Sequence, residues 1–110
     1  MDQAIVIMTN APDVSVASAI ARHLVECKLA ACVNIAPGVK SIYRWQGVIE
    51  ESNEIMLIIK STQARYIELE AAIRMLHPYQ VPEIIVLPIT GGFPPYLDWI
   101  AQETKKDVNV

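Results

Sequence analysis

The chain has 110 residues, of which 53% are apolar and 19% charged, with a net charge of −3. That length suits one domain spanning residues 1–110, and so apolar a composition excludes intrinsic disorder. The acidic balance leaves no surplus of Lys and Arg to neutralise phosphates, which argues against a nucleic-acid or anionic-membrane partner.

Ala4–Met8 is an apolar run without alternation, the pattern of a strand buried on both faces. The turn residues Asn10-Ala11-Pro12-Asp13 are expected to stop it, and Asp13 is placed to cap a helix by accepting a first-turn N–H. Val16, Ile20, Leu24 and Cys27 then recur at helical spacing, so one face of a helix ending near Lys28 is apolar. Ala30–Ile35 reads as a second strand, interrupted at Pro37-Gly38 and resumed over Val39–Trp45. Gln46-Gly47 is a two-residue hairpin turn. The return strand holds Val48-Ile49 and Ile55–Lys60, with polar Glu50–Asn53 between them as an expected bulge. Tyr66, Leu69, Ile73 and Leu76 restore the helical period until Pro78, which forces His77 into an extended conformation. Ile84–Leu87 is a fourth strand, and Pro95 starts a last helix carrying Tyr96, Trp99 and Ile100 on one side.

The order is β-α-β-β-α-β plus a C-terminal helix, an α+β fold of the split βαβ, ferredoxin-like kind. Ala31 to Trp45 is 15 residues; fully extended they would reach about 50 Å, whereas a domain of this size is about 35 Å across. The central hairpin must therefore bend at Pro37-Gly38 or project. A projecting two-stranded arm is marginally stable in water, and a few charges cover little apolar surface, so a second subunit is expected against it.

Three separated segments carry a resemblance. They are Lys28-Leu29-Ala30-Ala31-Cys32-Val33-Asn34, Ser41-Ile42-Tyr43-Arg44-Trp45-Gln46-Gly47 and His77-Pro78-Tyr79-Gln80-Val81-Pro82-Glu83-Ile84. With Tyr96-Leu97-Asp98-Trp99 near the end, they resemble the CutA divalent-cation tolerance family over almost the whole chain. The resemblance implies a ferredoxin-like subunit, a homotrimer joined at strand edges, a likeness to PII signalling proteins and a role in tolerance of copper or another divalent cation. It implies no catalytic reaction. Thr9 and Leu76 stand where some relatives offer a cysteine and a second histidine, so the expected metal is weakly held, with Cys32 and His77 as the remaining ligand pair.

Each candidate residue also has a plain structural role. Cys27 and Cys32 are spaced as neither a redox motif nor a zinc knuckle, and unpaired cysteines commonly act as small buried hydrophobes. His23 precedes Cys27 by one helical turn, but two ligands do not close a metal site. His77 either ligates a soft metal with Cys32 or satisfies a helix end. Tyr43, Trp45 and Tyr79 suit an interface or a stacking pocket. Glu54 and Lys60, on one strand face by period two, would complete a ligand pocket with them. That pocket supports the competing reading, a sensor that binds a small anionic metabolite between subunits.

No nucleophile elbow, phosphate loop, dinucleotide fingerprint or zinc-protease helix is present, so an enzyme is not expected. The longest apolar runs have five residues, far short of the roughly twenty of a membrane span. The absence of a basic leader and the low cysteine count lead to an expected cytoplasmic location.

Overall fold

The computed structural model describes residues 2–106. Strand β1 covers Ala4–Ala11, helix α1 Val14–Glu26, strand β2 Cys32–Trp45 and strand β3 Val48–Thr62. A 3-10 turn over Gln63–Arg65 leads into α2 at Tyr66–Leu76, followed by β4 at Ile84–Pro88 and α3 at Pro94–Glu103. The sheet is antiparallel with order β2-β3-β1-β4. Strand β3 thus lies between β1 and β2, the split βαβ arrangement expected from the element order. Among the described residues no helix is long and apolar enough to cross a membrane.

Residues of alternate parity divide the sheet into two faces. Ile5, Ile7 and Ala11 of β1 join Leu57 and Ile59 of β3 under Ala17, Ile20, Leu24, Leu69 and Ile73 of α1 and α2. This is the core, and its helical half follows the sequence period, except that Leu76, expected on the apolar face and last in α2, is 39% exposed. Helix α3 lies on the opposite face, where the Thr104 and Thr62 hydroxyls are 3.4 Å apart and Ile100 is fully buried.

Strand β1 runs three residues past its expected end. Thr9, Asn10 and Ala11 pair with Leu57, Met56 and Ile55, so a neighbouring strand overrides the turn preference of Asn10-Ala11-Pro12-Asp13. Asp13 caps α1 as predicted, its Oδ1 accepting the Val16 N–H at 2.8 Å. Cys27, expected in the core, is exposed. It is the capping residue beyond the last turn, and Lys28 follows in the left-handed region at φ 58°. The end of α1 is tied down by buried Arg65, which donates to the carbonyls of Lys28 at 3.3 Å and Cys27 at 3.5 Å.

The hairpin does both things its length permits. Its pairing register shifts between Ala36 and Val39, where Pro37 lacks an N–H and Gly38 takes φ 84°. Beyond the shift the arm projects: residues 42–50 are all exposed and the molecule measures 49 × 31 × 22 Å. Gln46 and Gly47 turn it at φ 51° and 82°, the positive pair of a type I′ turn. The bulge expected at Glu50–Asn53 is absent. Those residues pair continuously with Tyr43, Ile42, Ser41 and Lys40, because the irregularity is absorbed across the ladder at the proline.

Candidate functional site

The arm, the end of β1 and the loop after α2 border an open cleft of about 710 Å³. Tyr43 and Trp45 come from β2, Glu54 from β3, Asn10 from β1, and Tyr79 and Glu83 from the loop. Four of these six, Tyr43, Trp45, Glu54 and Tyr79, are residues that the sequence marked for a ligand pocket.

His77 sets the loop. Pro78 holds it extended at φ −84°, ψ 134°, and α2 delivers its ring into the interior, where it is buried. Nδ1 accepts the Tyr79 N–H at 3.1 Å, so the ring proton sits on Nε2, which donates to the Asn10 carbonyl at 2.5 Å. The two rings of His77 and Tyr79 lie 4.7 Å apart, tilted by 55°. Tyr79 is fixed at its far end too, because its hydroxyl donates to Glu54 Oε2 at 3.1 Å. Burial, then the bond to Glu54 and that carboxylate's charge, push the Tyr79 phenol up to about 12.

Glu54 is only 7% exposed and has no ion pair among the described residues. Asn10 is 8% exposed, and its Nδ2 donates to Glu83 Oε1 at 3.3 Å while its Oδ1 has no partner among the described residues. Asn10 and Glu83 escaped the sequence reading. Asn10 stood in what read as a turn, and only the His77-to-Glu83 motif signalled that the loop mattered.

Lys60 does not reach this cleft. It shares a face of β3 with Glu54, as period two requires, but six residues of strand separate them by about 20 Å. Its Nζ donates instead to Asn34 Oδ1. Cys32 is also at that end, half-buried and paired with Lys60, while His77 meets Asn10. Lys60 also pairs with Val6, four residues along β1 from Asn10, a distance of about 13 Å. One chain therefore does not bring Cys32 and His77 together. His23 and Cys27 do meet, with the thiol 3.8 Å from Nε2 and 3.9 Å from Nδ1, on an exposed surface. Among the described residues no three His, Cys, Asp or Glu side chains converge as a metal cage.

The comparisons with known proteins agree with this architecture. Residues 5–103 match the family model of the CutA1 divalent ion tolerance protein. The chain is 48% identical over 99 residues to a divalent-cation tolerance protein CutA of Thermus thermophilus, covering 90% of this chain and 96% of that one. It is 46% identical over 98 residues to mouse Protein CutA, covering 89% of this chain and 55% of the relative, so it spans about half the mouse protein's length. The solved structure of the divalent cation tolerance protein Cut A1 from Thermus thermophilus superimposes with a TM-score of 0.91 at 47% identity, covering 93% and 99% of the two chains. That of CutA from Xylella fastidiosa gives 0.92 at 41% identity, covering 94% and 99%. Fold, motifs and relatives converge: the chain belongs to the CutA1 divalent ion tolerance protein family.

Proposed function

We propose that this protein supports divalent-cation tolerance by binding rather than catalysis, as a closed homotrimer in the cytoplasm. The observation that carries the assembly is the arm. Ile42 and Ile49 are each 64% exposed, with Val48 at 57% and Trp45 at 40%. Apolar side chains clustered on a projecting hairpin mark an interface, and closed symmetry lets every copy cover its neighbour's arm.

The metal in this reading is copper or another divalent ion, weakly held. Both His77 nitrogens are engaged, so Cys32 is the soft ligand with donor capacity to spare, and water or a neighbouring copy must complete the site. Light scattering on the purified protein tests the assembly. A mass three times the 12.2 kDa chain is expected, and a monomer at micromolar concentration would refute it.

One observation favours a second reading, a PII-like sensor of a small metabolite. Three aromatic side chains and two carboxylates line a single cleft of about 710 Å³, within the range that accommodates small organic ligands.

A further inference from the structure

We infer that the cleft between the arm and the His77–Glu83 loop takes an organic cation, a small molecule bearing an ammonium or guanidinium group beside an apolar body. This rests on the second reading above, that the cleft is a ligand site, and it assigns that ligand a charge.

The charge follows from the lining. Glu54 and Glu83 both line the cleft, and no Lys, Arg or His is among the described residues that line it. Glu54 is nine-tenths buried, and of its roughly four acceptor positions the Tyr79 hydroxyl fills one. Asn10 supplies a third acceptor, the unpartnered Oδ1 of a side chain that is 8% exposed. Reaching that oxygen requires Asn10 to turn away from Glu83, and the 3.3 Å bond to be given up is a long one. Turning it also frees the second carboxylate. The part of the site that this chain supplies is thus rich in acceptors and short of donors, the complement of a group with several N–H donors and positive charge.

The walls select the rest of the ligand. Tyr43, Trp45 and Tyr79 line the cleft together with the carboxylates, and aromatic side chains attract cations while burying an apolar stem. A small anion, the ligand expected from Lys60, meets carboxylates here and no cation, since Lys60 lies at the other end of β3. A bare divalent ion is the poorer fit, because no three His, Cys, Asp or Glu side chains converge among the described residues.

Calorimetric titration of the assembled protein at low salt tests the inference. The probes are 2-phenylethylammonium, 3-phenylpropionate and magnesium chloride. Saturable binding of the ammonium alone is expected, weakened at least tenfold in Glu54→Gln and in Glu83→Gln. Glu83 is exposed, so the second variant keeps its fold if the first does not. Binding of 3-phenylpropionate with the ammonium silent would overturn the charge assignment and leave the cleft a ligand site. Binding of magnesium alone would overturn it in favour of a metal. Ammonium binding unchanged in both variants would place the ligand elsewhere. Silence of all three probes would remove both the organic cation and the ligand-site reading, as when a neighbouring copy fills the cleft.

Discussion

The hydroxyl of Tyr79 donates to Glu54 across 3.1 Å, joining residues 25 positions apart. One end of this contact sits on the inner strand β3 and the other on the loop between α2 and β4. Through it the loop is fastened to the sheet, and the cleft acquires a floor of defined shape. Substituting Tyr79→Phe keeps the ring and removes the only hydrogen bond to the Glu54 side chain among the described residues. Loss of about 1–3 kcal/mol is expected for a buried acceptor deprived of its donor. Urea denaturation of the variant measures it, and an unchanged midpoint would show that water replaces the phenol.

Alkaline titration gives a second check. The phenols of Tyr79 and Tyr66 are each raised from 10.0 to about 12, first by burial and then by a bonded carboxylate, Glu54 and Glu70 respectively. Their neutral forms are thus favoured in the folded state. The associated stabilisation is complete below the unfolded value and falls away as pH rises from about 10 towards about 12. Phenolate absorbance should show these tyrosines ionising after the ordinary range, and stability should drop over that window. Normal ionisation of both in the native state would contradict the geometry.

His77 is predicted to be structural. His77→Ala leaves the Asn10 carbonyl and the Tyr79 amide without their partners and empties a buried ring site, so a loss of about 3 kcal/mol is expected. Copper titrated into this variant should bind as it does to the parent, whereas Cys32→Ser should weaken binding. Abolished copper binding in His77→Ala, with the fold intact by circular dichroism, would reinstate the imidazole as a ligand.

Trp45→Ala tests the arm. Its ring is 40% exposed near the hairpin tip and lies on the cleft wall. If Trp45 anchors the assembly, truncation should weaken association by about 2 kcal/mol, as hot-spot aromatics do. Dilution followed by light scattering would read this directly, and an unaltered dissociation profile would take Trp45 out of the interface.

Much of the fold is legible in the residues because local chemistry acts there without competition. The Asp13 cap, the apolar period of α1, the Gln46-Gly47 turn and the extended His77 before Pro78 each depend on a few neighbours in the chain. The motif segments likewise mark Tyr43, Trp45 and Tyr79 for the cleft. Where a second strand intervened, local signals failed. Asn10 reads as a turn residue and forms strand because Met56 lies opposite. Glu50–Asn53 read as a break and pair continuously because Pro37-Gly38 carries the irregularity for both strands.

By itself the sequence determined the element order, the buried faces and the need for the central hairpin to bend or project, since periodicity and chain length are local quantities. Only the tertiary structure decided which polar groups meet. Period two puts Glu54 and Lys60 on one face but is silent on distance, and the pleat carries Lys60 about 20 Å away. A histidine in a motif is a candidate ligand until folding brings the Asn10 carbonyl to Nε2. Asn10 and Glu83, 73 positions apart, become partners only when the loop after α2 returns to the end of β1. The sign of the cleft's charge is set by such non-local encounters, which spacing along a chain does not encode.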